Sequence, residues 1–207
     1  MSDTNSMRKK TDAVKRLRDV HAAATRAALI SAATERFVLH GYAGTSLDDI
    51  AADVGTTKGA IYHHFKDKRA LFCAVYEQLS RQLIDVVATT ATMPSASVES
   101  ALQAFVISAS EARYVRVLFL DGPAALGNVA CREIDMRHSL GLITQLIQLH
   151  APADLVETAG LEVLARLLLS SLVEAAQIVA SSPDVAAASS RVLMVLNRVV
   201  QGLLQSK

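Results

Sequence analysis

Residues 46 to 66, SLDDIAADVGTTKGAIYHHFK, leave few options for how this chain folds. Leu47, Ile50, Ala51 and Val54 stand at i, i+3, i+4 and i+7, giving a short helix a single apolar stripe. Ser46 precedes it as an N-cap, Asp48 and Asp49 complement the dipole of the first turn, and Asp49 occupies the capping-box position. Gly55 supplies a left-handed turn, and Thr57 caps a second short helix. On that helix Ile61 and Phe65, four apart, point inward. Gly59, Tyr62, His63 and Lys66 are left on the outer face, with Lys58 beside them at the start. Small, aromatic, imidazole and cationic side chains in a row suit a major groove: backbone approach at Gly59, hydrogen bonds from Tyr62 and His63, charge from the lysines. The spacing predicts a helix-turn-helix over residues 46–65. Spacing alone also fits an ordinary helical hairpin with a solvated face.

The flanking sequence adds two further helices. A helix from Ala22 to His40 carries Ile30, Ala33 and Phe37 inward and stops at Gly41. Asp67 caps a long helix from Lys68 to about Thr90, with Leu71, Val75, Leu79, Ile84 and Val87 as its apolar positions. Residues 25–72 share Arg26, Ala32-Ala33, Phe37, Gly41-Tyr42, Thr45-Ser46-Leu47, Asp49-Ile50-Ala51, Gly55, Thr57-Lys58-Gly59, Tyr62-His63-His64-Phe65, Lys68 and Leu71-Phe72 with a known pattern. On these residues the stretch resembles the N-terminal domain of the TetR family of transcriptional regulators. The resemblance implies an all-α chain, in which a three-helix DNA-binding domain with a helix-turn-helix is followed by a helical ligand-binding and dimerisation domain. The expected boundaries are a basic arm over 1–21, the DNA-binding domain over 22–82 and the regulatory domain over 83–207. Carried over by position, Thr45 and Ser46 contact phosphate. Thr57, Lys58, Gly59, Tyr62, His63 and His64 line the recognition helix, and Lys66 and Lys68 hold the DNA backbone. A weaker echo of one branch of the family lies at Leu120-Asp121-Gly122-Pro123-Ala124-Ala125-Leu126-Gly127 and Arg132-Glu133-Ile134-Asp135, without pointing to a ligand.

Charge agrees with this division. Residues 1–72 hold 12 Lys and Arg against 8 Asp and Glu, and the remainder 9 against 12, so the basic bias lies at the helix-turn-helix end. Arg8, Lys9, Lys10, Lys15, Arg16 and Arg18 form an arm that is either disordered alone or a continuation of the first helix. Its charges reach phosphates or a minor groove, unless it is a solvated tail. No GxSxG, HExxH, GxGxxG or Walker sequence is present, and His63 and His64 are adjacent, about 100° apart on a helix, so they cannot share a metal as an i, i+4 pair does. Cys73 and Cys131 have no metal-site spacing and are expected as free buried thiols. No catalytic site, cofactor or metal is expected. No apolar segment follows Arg8-Lys9-Lys10, and Glu162, Arg166 and Glu174 interrupt the longest apolar run, so the expectation is a cytoplasmic protein without a membrane partner.

Beyond residue 91, Pro94 marks a break and Ser95 or Ser97 a new cap. The run Arg113 to Leu120 carries β-branched residues but is expected as a short helix ended by Gly122-Pro123. Helices then span about 128–150 and, after Pro152, 154–181. A last one begins with Ser182 as N-cap and Pro183 at its first position. Val192, Leu196, Val199 and Leu203, together with Leu168 and Leu172, form an apolar surface in excess of what one partner helix needs, which predicts a four-helix interface with a second copy. The resemblance places the family's dimer contact on the same two helices; burial within the chain is the alternative. Phe105, His138 and Ser171, polar or aromatic positions on apolar helices, are the candidate ligand residues. The expected function is that of a homodimeric repressor on double-stranded DNA with an inverted-repeat operator, released by a small apolar or amphipathic ligand. A helical enzyme or a purely structural bundle is the alternative.

Overall fold

The computed structural model describes residues 2–93 and 97–204, with side chains over 16–93 and 97–203. The side chains of Arg8, Lys9, Lys10 and Lys15 and the break at Pro94 and Ser95 lie outside the described residues. Among the described residues the chain is all-α, without a strand. It divides into two compact units, Met1–Val75 and Tyr76–Lys207.

The first unit holds α1 (Ser2–Gly44), α2 (Leu47–Asp53), α3 (Lys58–His64) and the start of α4 (Lys68–Ala91). The arm is thus a continuation of the first helix, whose regular course ends at Gly41 (φ 72, ψ 172). Leu29, Ala33 and Phe37 of α1, Ile50 of α2, Ile61 of α3 and Leu71 and Phe72 of α4 are all fully buried. Each such aliphatic or aromatic side chain contributes about 1.5–3 kcal/mol of transfer free energy. The aromatic residues lock edge to face, with Phe72 5.0 Å from Phe37 and 4.9 Å from Tyr42 between ring centroids.

The second unit contains the rest of α4, then α5 (Val98–Ala109), α6 (Ala112–Tyr114), a π-helical stretch (Val115–Asp121), α7 (Gly122–Leu126), α8 (Asn128–His150), α9 (Ala153–Ala159), α10 (Leu161–Ala180) and α11 (Val185–Leu204). On α4 the buried position is Leu83, with Ile84 only half-buried. Ser97 is the cap of α5, paired with Ser100 in a capping box. Three expected boundaries are corrected. Gly122-Pro123 does not end the helical run, because Pro123 falls in the first turn of α7, where a missing donor costs nothing. The helix expected over 154–181 is two helices, broken at Gly160, whose φ of 81° no other residue type holds without strain. The last helix begins later than Ser182, since the Asp184 carboxylate accepts from Ala187 N at 3.0 Å and starts it at Val185.

Helix α10 is the centre of this unit, packing on α8, α11, the π-helical stretch, α9 and α5. By length and composition it is apolar enough to cross a membrane, Glu162, Arg166 and Glu174 notwithstanding. Here it buries Leu164, Ala165, Leu169, Ala175, Ala176 and Val179 against its neighbours.

Candidate functional site

The helix-turn-helix is assembled by local hydrogen bonds. Ser46 Oγ accepts from Asp49 N at 3.1 Å and donates to Asp49 Oδ2 at 2.6 Å, while Ser46 N donates to the same carboxylate at 3.3 Å. These bonds, the side-chain one foremost, hold the Asp49 carboxyl below the usual carboxylate range. Arg36 of α1 reaches Asp53 with Nε and Nη2, the latter at 2.7 Å, and so braces α2; the same bond lowers the Asp53 pKa. Gly55 (φ 64) turns the chain, and Thr57 Oγ1 accepts from Ala60 N at 3.2 Å to start α3. With Ile61 and Phe65 buried and the Arg26 guanidinium 5.0 Å from the centre of the Phe65 ring, α3 has one possible rotation.

That rotation puts Thr57, Lys58, Gly59, Tyr62 and His63 on the surface, with His64 half-buried. Tyr62 is 50% exposed, large for an aromatic residue in a folded unit. Lys58 Nζ lies 2.7 Å from Asp48, an exposed ion pair worth little by itself, so the ammonium exchanges partners readily. Among the described residues no cluster of His, Cys, Asp and Glu is arranged to hold a metal. Cys131 is buried and Cys73 half-buried, and neither forms a disulfide.

Three residues expected at this surface are placed elsewhere. Thr45 is 3% exposed and its hydroxyl donates to Gly41 O at 2.8 Å, so it closes the turn after α1. Lys68 Nζ donates to Tyr42 O at 2.8 Å and Thr45 O at 3.0 Å and stands 4.4 Å from the Tyr42 ring centre. It clasps that same turn with two of its three donors. Lys66 is exposed but sits in the bend after α3, which ends at His64, because Phe65 is already extended.

Two concavities of the second unit are lined by residues expected at its ligand site or dimer surface. A small apolar cavity of about 80 Å³ lies among α5, α8, α10 and α11, and Leu168, Ser171, Leu172, Leu196 and Val199 are among the residues lining it. A polar cleft of about 550 Å³ is lined from α4, the π-helical stretch, α7, α8 and α10, with Tyr76, Asp135 and again Ser171 in its walls. Of the three expected ligand residues only Ser171 lines a cavity. Phe105 is buried in the core, and His138 turns toward Glu77, its Nε2 3.4 Å from Oε1 without a hydrogen bond. The expected dimer surface also changes. Val192 and Leu196 are buried within their own chain, because one flank of α11 packs on α5 and α10. Leu168, Leu172 and Leu203 are half-buried, and only Val199, at 45% exposure, faces out. Other large apolar side chains left on the surface are Val163, Leu167 and Ile178 of α10 and Val185, Met194 and Val195 of α11. The apolar spacing did not single these out.

A helix-turn-helix with a polar outer face, followed by a larger all-helical unit with cavities of its own, defines the class of helix-turn-helix regulators. Two family models match this chain: bacterial regulatory proteins of the tetR family over residues 29–75, and the tetracyclin repressor-like C-terminal domain over 95–203. The second covers more than half of the chain, and the protein belongs to the TetR family. The TetC protein of transposon Tn10 from Escherichia coli is 44% identical over 64 residues, 31% of this chain and 32% of its own. The regulator TtgR of Pseudomonas putida is 47% identical over 55 residues, 27% of this chain and 26% of its own. The chain thus spans about a third or less of the length of these curated relatives. A TetR-family transcriptional regulator from Pectobacterium atrosepticum superposes with a TM-score of 0.75 at 29% identity, over 90% of this chain and 97% of that one.

Proposed function

We propose that this protein is a DNA-binding transcriptional repressor, without enzymatic activity, that acts in the cytoplasm as a homodimer and is released from its operator by a small molecule held in its second unit. The observation that carries the reading is the outer face of α3. Thr57, Lys58, Gly59, Tyr62 and His63 stand exposed on a helix whose rotation is set by Ile61 and Phe65, and they present hydroxyl, ammonium and imidazole groups to a groove. In this reading residues 22–82 bind DNA, residues 83–207 regulate and dimerise, and the basic helical arm before residue 22 adds phosphate contacts. Ser46, Lys58, Lys66 and His64 are the phosphate-side candidates, and Thr45 and Lys68 act one step back by holding the turn in place.

Dimerisation is assigned to the exposed apolar side chains of α10 and α11, Leu167, Ile178, Met194, Val195 and Val199. Large apolar side chains exposed on two helices that pack together fit a surface that a second copy covers. A two-fold dimer carries two copies of α3, so its operator is an inverted repeat with half-sites about 34–36 Å apart or a multiple of that. Footprinting on fragments recovered from the protein's own genome tests this. Two protected, inverted half-sites are expected, and a single unrepeated one would refute the dimeric arrangement.

A further inference from the structure

The segment Leu120–Gly127 with Arg132–Asp135 has no part in the DNA-facing surface, and the structure gives it a task of its own. A Cβ at Gly122 would stand 2.6 Å from Tyr76 Cε2 and 3.0 Å from Val117 O, so the start of α7 approaches the Tyr76 ring as only a glycine permits. Seated there, Tyr76 is almost wholly buried and donates its hydroxyl to Asp135 Oδ2 at 3.0 Å, while Ser80 Oγ donates to Oδ1 at 2.9 Å. Asp135 is half-buried and lines the 550 Å³ cleft. Among the described residues no cation lies within ion-pair distance of it.

Two neutral hydroxyls orient a carboxylate without neutralising it, and each oxygen keeps room for a further donor. Burial, the largest influence on this group, raises its pKa, which marks a negative charge short of compensation. The other charged groups in the cleft wall, Arg132 of α8 and Glu174 of α10, are solvent-exposed and of opposite sign. Water screens them and their fields offset one another, so the field felt by a guest is set by Asp135. Leu118 and Val173 supply apolar wall beside it. What this site lacks is one positively charged donor carried on an apolar body.

We propose that the cleft over Asp135 binds an organic cation, an amphipathic amine whose ammonium pairs with the carboxylate and whose body lies along Leu118 and Val173. Tyr76 and Ser80 are positioning residues that aim the carboxylate. The proposal names the class of the regulator's effector, and only its consequence for DNA rests on the regulatory reading. The apolar cavity nearby has no charged group to prefer a cation, and at about 80 Å³ it is too small for such a guest.

The test is calorimetric titration of the full chain with three matched probes, 4-phenylbutylamine, 4-phenylbutanol and 4-phenylbutyrate. The amine is expected to bind at least about 10-fold more tightly than the alcohol, with the carboxylate weakest. Asp135→Asn brings the amine to the affinity of the alcohol. Ser80→Ala, which removes one of the two hydroxyls that aim the carboxylate, lowers amine affinity severalfold and leaves the alcohol unchanged, and this variant keeps the test decisive should Asp135→Asn fail to fold. The proposal is overturned if the amine binds no better than the alcohol, if none of the three binds, or if folded Asp135→Asn retains the preference. DNA binding by the unliganded chain is measured separately. Amine selectivity without DNA binding would remove the regulatory reading and leave the cleft assignment standing; DNA binding without amine selectivity would do the reverse.

Discussion

Replacing Lys68 with methionine separates two roles that a lysine next to a helix-turn-helix can play. The ammonium makes two hydrogen bonds, to Tyr42 O at 2.8 Å and Thr45 O at 3.0 Å, and adds a cation–π contact to the Tyr42 ring. A hydrogen bond to a charged group contributes about 1.5–3 kcal/mol when buried. Lys68 is half-buried, so solvent recovers part of that, and the loss expected for the first unit is about 2–4 kcal/mol. Methionine keeps the length and the apolar contacts of the stem, so the change isolates the charge and its donors. Urea unfolding followed by far-ultraviolet circular dichroism measures the stability. DNA affinity as a function of salt, measured by fluorescence anisotropy at a temperature where the variant is folded, measures the phosphate contacts. The expected result is a clear loss of stability with an unchanged salt slope. Unchanged stability together with a slope smaller by about 1 per subunit would show that Lys68 meets phosphate, and would refute the clasp.

Tyr62→Ala is expected to weaken specific DNA binding by about 1–3 kcal/mol, because it removes an exposed groove-facing group and nothing buried, with melting unchanged. Anisotropy on an operator duplex reads it, and wild-type affinity would exclude Tyr62 from the interface. Met194→Asp and Val195→Asp should yield folded monomers in sedimentation, whereas Leu196→Asp, one residue on, should unfold the second unit instead. Acid should loosen the helix-turn-helix. Asp49 and Asp53 have folded pKa values below their unfolded ones, so the folded state binds fewer protons as pH falls, and stability held above about pH 4 is lost below it. Arg36→Gln should shrink that loss by releasing Asp53, and an acid transition identical to wild type would count against the assignment.

What the sequence disclosed was what is local. Ser46 with Asp49, Gly55 and Thr57 were legible because each cap is closed within three residues of itself. Ile61 and Phe65 were legible because a short helix has one apolar side. The intrachain partners of Thr45 and Lys68 were not legible because they are set by tertiary structure, with Lys68 bonding Tyr42 across 26 residues. In α11 an apolar flank was visible, and nothing in a periodicity says whether α5 and α10 of the same chain or a second copy will cover it. Gly160 was missed because the surrounding apolar spacing continues through it, so a break and a tolerated helical glycine look alike until the dihedral is seen. The Gly122–Tyr76–Asp135 arrangement was visible only as a string of residues, because the residue that requires the glycine lies on another helix.

Helix α10 has a consequence for how this chain is made. An 18-residue window of it has a mean hydropathy of 1.7, enough by length and composition to span a membrane, and part of its surface is covered only by neighbours in the folded unit. The preceding partner, α8, leaves the ribosome first, but α11 follows α10 in the chain and cannot cover it until later. At synthesis rates of about 5–20 residues per second, this long apolar segment stays partly uncovered for seconds. Glu162, Arg166 and Glu174, exposed in the folded protein, work in that interval, interrupting the apolar run and making it a poorer substrate for both membrane insertion and aggregation. Neutralising all three should therefore lower the yield of soluble protein far more than the stability of what does fold.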